Sequence, residues 1–300
     1  MALNETPQTI AALASRHGLD IVPETVRFNS AGLDFLVAFA ADRAGADWVL
    51  RLPRRPDVVR KGEGEARILG LVGPRLPLSV PDWRVRSETL IAYPLLAGQP
   101  GITVDTETMT PTWHFDQGSE AFAESFGRAL AALHAIPHEA AREAGLTVLS
   151  PEDVRSAMLL DLGRVREGIG IGAPLEARIR AWIDNDALWP EFSVFVHGDL
   201  YPAHVLIDAQ DRACGIIDWT EAKVSDPAID LAMHLLGFGP EGLEQLLVHY
   251  REAGGRTWPG LADHCAERVA AGPLNYGLFA LESGDASHLA AAREQLGVGD

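Results

Sequence analysis

The sequence predicts an α+β protein of two lobes: a five-stranded antiparallel sheet with one helix over residues 1–96, then a mainly helical lobe over residues 97–300. Three observations carry this expectation. From Val26 to Leu96 short apolar runs alternate with polar turns. Beyond about residue 97 apolar side chains recur at helical spacing. Between Ser193 and Asp218 short strands interrupt the helices, and two of them run into aspartates, Asp199 and Asp218.

The elements follow in order. Residues 1–20 form a short amphipathic helix and a loop. "RFNSAGLDFLVAFA" is strand, polar turn, strand; "ADRAGAD" is a hairpin connection; "WVLRLP" is a third strand closed by Pro53. "DVVRKGEGEARILGLVG" has helical spacing despite its interior glycines. "DWRVRS" and "TLIAYPLL" supply the last two strands, and residues 92–98 form the hinge between lobes. "AGQPGITVDTETMTPTWHFDQGS" is one long loop. "SEAFAESFGRALAALHAI" places Phe122, Phe126, Leu130 and Leu133 on one stripe, with Ser119 as N-cap. Two helices follow at 151–168 and 174–188, and residues 227–295 are almost wholly helical. A sheet-and-helix lobe followed by a helical lobe is the outline of a protein-kinase-like fold.

Composition narrows the function. Apolar residues make up 47% and charged residues 22% of 300, ordinary for a soluble globular chain with two cores. The N-terminus lacks a basic segment followed by an apolar one, and no apolar run approaches the roughly 18 residues of a membrane span. Cys214 and Cys265 form no CxxC and read as reduced, buried thiols of a cytoplasmic protein. The net charge of −17 argues against a nucleic-acid partner, whose phosphates need a basic footprint. It reflects mainly an acidic, soluble surface, although it also suits a cationic small substrate. The only lysines are Lys61 and Lys223.

The chemistry concentrates in "VHGDLYPAHVLID" and "GIIDWTEA". Phosphoryl transfer needs a carboxylate to position the acceptor hydroxyl, a divalent metal on the phosphates, and cationic support. Asp199 follows a strand and a turn, so its side chain can project into a cleft. A hairpin of 205–207 with 215–217 brings Asp218 toward the same place, with His204 at its opening.

These residues resemble the catalytic loop of antibiotic and small-molecule phosphotransferases, HGDxxxxN followed by a metal-binding aspartate. Within that superfamily the sequence is most similar to the macrolide 2'-phosphotransferases. "WVLRLPRR", "EARIL", "LPLSVPDWRV", "FAESFGRALAALHA", "FSVFVHGDLY" and "IDWTEAKVSDPAIDLAMHL" carry the likeness, which extends from about residue 26 beyond residue 258. The resemblance implies a cytoplasmic enzyme that inactivates macrolide antibiotics at the 2'-hydroxyl of the amino sugar, with GTP, or ATP, and Mg2+. The usual metal-binding Asn is replaced by His204, as in the macrolide enzymes. Magnesium prefers oxygen ligands, so the sequence leaves His204 three roles: direct ligand, ligand through water, or donor to a phosphate oxygen.

By the same resemblance Asp199 is catalytic, His204 and Asp218 hold metal, and His197 supports the loop. Asp230 either braces that loop or faces the substrate's amine. Arg51 takes the position of the third-strand kinase lysine, on one face with Val49, and Glu65 is its helix partner, with Lys61 a rival for that carboxylate. Ser30, in the turn "NSAGLD", and the backbone of Ala92, Tyr93 and Leu95 complete the expected nucleotide site. An apolar macrolide wall is expected from Tyr201, His234, Leu235, Phe238, Tyr276, Phe279 and Ala280, with Leu281 beside them. For the substrate's protonated amine, Asp199, Asp230 and Glu282 are the carboxylates in view. The expected partners are therefore a macrolide and a nucleoside triphosphate, with no nucleic acid and no membrane, in a monomer. An aminoglycoside or amino-alcohol kinase, a metal-dependent hydrolase built on His197, Asp199, His204 and Asp218, and a nucleotide-binding pseudokinase are the competing readings.

Overall fold

The computed structural model describes residues 6–29, 34–105, 108 and 110–299. By contacts the chain separates into two compact units, Met1–Asp116 with Pro202–Thr220, and Gln117–Tyr201 with Glu221–Asp300. The expected boundary at residue 96 is thus displaced: residues up to 116, and the hairpin after Tyr201, group with the N-terminal unit.

The first unit opens with α1 (Pro7–Ser15), β1 (Arg27–Asn29), β2 (Phe35–Ala41), β3 (Asp47–Pro53), α2 (Pro56–Val72), β4 (Val85–Arg86) and β5 (Ile91–Pro94). The strands form one antiparallel sheet in the order β1-β2-β3-β5-β4. Alternation along β3 sorts the side chains between two cores. Leu50 and Leu52 join Leu36, Ala38 and Ala92 against Ile10 and Leu13 of α1. Val49 faces the other way with Phe35, Ile91, Tyr93 and Val58. Burying each large side chain contributes about 1.5–3 kcal/mol.

The segment expected as a single long loop contains three short strands, β6 (Gln99–Pro100), β7 (Ile102–Val104) and β8 (Pro111–Trp113). β7 and β8 pair as a hairpin. The second unit begins with α3 (Glu120–His134), α4 (His138–Glu143), α5 (Pro151–Gly168), α6 (Ala173–Asp184) and β9 (Val194–Val196). Back in the first unit, β10 (Val205–Ile207) and β11 (Ala213–Ile216) pair antiparallel, and β6 adds to β10. The strands β11-β10-β6 form a separate three-stranded sheet, which, with Ser79 bridged to Gly215, groups residues 97–100 and 202–220 with the first unit.

The second unit closes with β12 (Lys223–Ser225), α7 (Ala228–Glu252), α8 (Leu261–Ala270), α9 (Gly272–Ser283) and α10 (Ala286–Gln295). β12 pairs with β9. Ser119 caps α3 by accepting the Phe122 N–H, and Phe122, Phe126, Leu130 and Leu133 are buried as the stripe predicted. α6 ends at Asp184, short of the expected residue 188. A separate apolar cluster joins Val154, Leu162 and Val165 of α5 to Trp182, Leu274 and Leu296. No helix among the described residues is long and apolar enough to cross a membrane.

Candidate active site

The first unit holds a cavity of about 460 Å³. Its wall is mainly apolar, built from Phe35, Val37, Phe39, Val49, Tyr93, Leu95, Leu96, Leu206 and Ile217, and Asn29, Asp34, Arg51, Asp218 and Thr220 supply polar groups. An apolar slot ending in a few fixed polar groups suits a flat heteroaromatic ring carrying charge at one end.

Arg51 points to this side of the sheet because it alternates with Leu50 and Leu52. Its Nη1 donates to both carboxylate oxygens of Glu65, at 2.8 and 2.9 Å, and the guanidinium lies 4.1 Å from the Phe35 ring centre. Glu65 is fully buried and Arg51 is 9% exposed. Burial weakens the Arg51 charge, but the Glu65 carboxylate outweighs it and holds the guanidinium above its ordinary value. Burial, reinforced by Asp218, raises the Glu65 carboxyl, with Arg51 opposing. The Tyr93 hydroxyl is pushed up to about 12, chiefly by burial. The rival Lys61 side chain and Ser30 both lie outside the described residues.

Two of the backbone groups expected to meet the base are already used in the sheet. The Ala92 carbonyl accepts the Arg84 N–H and the Leu95 N–H donates to the Asp47 carbonyl, each at 2.8 Å. The Ala92 side chain is buried in the α1 core. Tyr93 and Leu95 contribute side chains to the cavity instead.

Asp218 leaves β11 with φ 66°, a left-handed conformation uncommon outside glycine and tolerated best by Asn and Asp. Its side chain is 46% exposed. Thr220 donates to one carboxylate oxygen at 3.1 Å, and His204 Nε2 stands 3.6 Å from the other. The predicted hairpin therefore does place His204 beside Asp218. Among the described residues, no group of three or more His, Cys, Asp or Glu side chains is arranged to hold a metal.

Asp199 belongs to the second unit. It stays exposed while its neighbours are anchored: His197 is fully buried and Leu200 is 1% exposed. Between them Gly198 takes φ 92°, and a Cβ there would lie 2.3 Å from the Glu221 carbonyl oxygen, so only glycine fits. The Asp199 N–H donates to His197 Nδ1 at 3.3 Å. Asp230 accepts the His197 N–H at 2.8 Å through Oδ2 and the Gly198 N–H at 3.0 Å through Oδ1.

This geometry corrects part of the expected substrate wall. Asp230 is fully buried with both oxygens engaged, so it braces the loop and does not face a ligand. His234 is 4% exposed, stacks 4.2 Å from Phe238, and bonds the Gly242 carbonyl at 3.2 Å; it is a core residue. Burial lowers its imidazole to about 4. Phe238 continues the same stack onto Phe122. Ala280 is fully buried in the α5–α9 core, because Leu274, Gly277 and Ala280 form the inward face of α9. Leu281 is half-buried against that cluster and packs on Gly168. Glu282 stands near Arg164 at 3.7 Å. Phe279 is 38% exposed and Tyr276 half-buried, their ring centres 6.1 Å apart, with the Tyr276 hydroxyl bonded to His288. Tyr201 and Leu235 are half-buried. Cys265 is buried and its thiol pushed up to about 12 by burial, whereas Cys214 is only half-buried, against expectation.

Sequence reasoning also passed over His134, which bonds Asp230 from behind, and Tyr250, which bonds His134. A histidine ending the apolar stripe of α3 was the available signal.

The model of the phosphotransferase enzyme family matches residues 25–264. The chain belongs to this phosphotransferase family. It is 46% identical to a macrolide 2'-phosphotransferase, MphH, from Brachybacterium faecium, whose apoenzyme structure superposes with TM-score 0.93 and 98% coverage of both chains. The structure of a macrolide 2'-phosphotransferase type I matches at 48% identity and TM-score 0.91, covering all of both chains. The uncharacterized protein YcbJ of Bacillus subtilis (strain 168) is 40% identical over 291 residues, 96% of this chain and 95% of its own. The kinase-like α+β fold expected from the sequence is therefore that of this phosphotransferase family. The family match takes in the loop of Asp199 and the hairpin of Asp218 and ends inside α8, so Tyr276 and Phe279 of α9 lie beyond it.

Proposed function

We propose that this phosphotransferase transfers the γ-phosphate of GTP to the 2'-hydroxyl of a macrolide's amino sugar, and so confers resistance to that antibiotic. The observation that supports it best is the near-complete likeness, at 46% and 48% identity, to two macrolide 2'-phosphotransferases. The apolar cavity of the first unit suits a purine base, with the base against Tyr93 and Leu95 and the triphosphate toward Arg51 and Asp218. ATP is the alternative donor.

In this reading Asp199 is the catalytic carboxylate. It is exposed on a loop fixed by Asp230, and it orients the acceptor hydroxyl and takes its proton as the oxygen–phosphorus bond forms. The bond from the γ-phosphorus to the bridging oxygen breaks and GDP departs. Arg51, held charged by Glu65, balances phosphate charge. Magnesium sites typically use one or two carboxylates, completed by water and phosphate oxygens, and the half-exposed Asp218 fits that donor set. When bound there, the metal supplies charge neutralisation on the phosphates. His204, 3.6 Å from Asp218, orients that carboxylate. Tyr201, Leu235, Phe238, Tyr276 and Phe279 remain as the accessible candidates for the macrolide wall. Two free cysteines accord with a cytoplasmic chain, which we take to act as a monomer.

A panel of macrolides and kanamycin, incubated with GTP or ATP and read by mass spectrometry, tests the assignment. Monophosphorylated erythromycin with kanamycin unchanged is expected. Phosphorylated kanamycin with erythromycin untouched overturns the macrolide reading in favour of an aminoglycoside kinase.

A further inference from the structure

The two ends of α7 meet on one histidine. Asp230 stands in its first turn and Tyr250 near its end, 20 residues later, which in a straight helix would hold them about 30 Å apart. Both nevertheless bond His134 at the end of α3: the Tyr250 hydroxyl to Nδ1 at 2.8 Å, and Asp230 Oδ2 to Nε2 at 3.3 Å. The chain doubles back at Gly239, whose φ of 72° and ψ of −178° break the helix ahead of Pro240. Gly127 of α3 admits the returning arm, since a Cβ there would lie 2.9 Å from His249 Cβ and 3.0 Å from the Tyr250 nitrogen. Asp230 and Tyr250 are fully buried and His134 is 7% exposed.

The ends of this chain of bonds fix its protons. A carboxylate only accepts, so His134 carries hydrogen on Nε2, and in the neutral ring Nδ1 accepts from the Tyr250 hydroxyl. Asp230 passes the constraint forward, because its oxygens hold the amides of His197 and Gly198, the two residues before Asp199.

We propose that Tyr250 is a positioning residue for phosphoryl transfer, acting through His134 and Asp230 on the loop that presents Asp199. This rests on Asp199 being the catalytic carboxylate. A buried tyrosine that served packing alone would not need its hydroxyl, whereas here the hydroxyl holds the second ring nitrogen of His134, and so the orientation of the imidazole that bonds the bracing carboxylate from behind. Remote groups of this kind act on the chemical step, since small displacements of a reacting group cost rate more than affinity.

Tyr250→Phe in the full-length protein tests it. The expected result is a kcat lowered roughly 10- to 100-fold, KM for both substrates within about twofold, and a thermal midpoint close to the parent's. The amide resonances of His197 and Gly198 should shift, and the ¹⁵N signal of His134 should show Nδ1 unprotonated in the parent. His134→Gln, which can still reach Asp230, should retain more activity than His134→Asn, which cannot; this pair decides the matter if Tyr250→Phe fails to fold. Parental kcat in Tyr250→Phe, or unshifted His197 and Gly198 amides, overturns the inference while leaving the transferase reading intact. If the parent transfers no phosphate to any acceptor, the function is wrong, and the amide shifts still decide whether Tyr250 holds the loop.

Discussion

A left-handed aspartate on the wall of an apolar cavity is a specific device. Asp218 accepts backbone strain at φ 66° and keeps its carboxylate 46% exposed, with Thr220 and His204 beside it. A side chain that served only to cap a turn would not need this exposure. Asp218→Ala should abolish the magnesium dependence of GTP binding, read by calorimetry with and without the metal; an unchanged metal dependence would remove Asp218 from the phosphate site. His234 behaves in the opposite sense, as an imidazole kept neutral by burial. Its ordinary value is 6.5 and its folded value about 4, so between these the unfolded chain binds a proton that the folded chain refuses. Stability is therefore fully present above pH 6.5 and falls as the pH drops toward 4, by on the order of 3 kcal/mol. His234→Phe keeps the stack on Phe238 and should flatten this part of the stability curve in denaturant titrations. The sequence showed His234 four residues before Phe238 but not that Phe122 and Phe126, over a hundred residues earlier, close around it.

Elements were legible where their pattern was local. The alternation of "WVLRLP" set Arg51 against Leu50 and Leu52, and the resemblance to kinases supplied Glu65 as its partner, with which it pairs. The stripe of α3 and its Ser119 cap were equally plain. Residues 97–119 were not, because strands of two or three residues carry too few alternations to register, and Pro100 and Pro111 read as loop. α9 misled because Ala280, expected beside Tyr276 and Phe279, lies on the inward face with Leu274 and Gly277, while the aromatic Phe279 points outward. Glycines tie two elements to the active loop in different ways. At Gly198 a Cβ would both collide with the Glu221 carbonyl and sit at φ 92°; at Gly239 nothing lies within 4 Å and only the backbone objects. Gly239→Ala should cost about 1–3 kcal/mol of stability, the range for a strained backbone, and Gly198→Ala distinctly more, with loss of activity. Chemical denaturation of both variants checks the order; equal costs would mean that the Gly198 loop relaxes away from Glu221.

For the molecule as a whole, the lobe boundary was the least legible feature, since the pairing of β10 with β6 joins residues more than a hundred positions apart and no local signal announces it. The acidic balance of −17 argued against nucleic acid but said nothing of where a phosphate would sit; that came from one buried cation, Arg51, held charged by a buried anion. In the proposed reaction the exposed carboxylate of Asp199 takes the proton of a macrolide hydroxyl while a nucleoside triphosphate is held by other residues. Single-turnover transfer from GTP to erythromycin by the parent and by Asp199→Ala, with GTP affinity measured on the same samples, tests it most directly. The expected rate is reduced at least ~100-fold with GTP affinity nearly unchanged. Transfer by Asp199→Ala at the parental rate would contradict it.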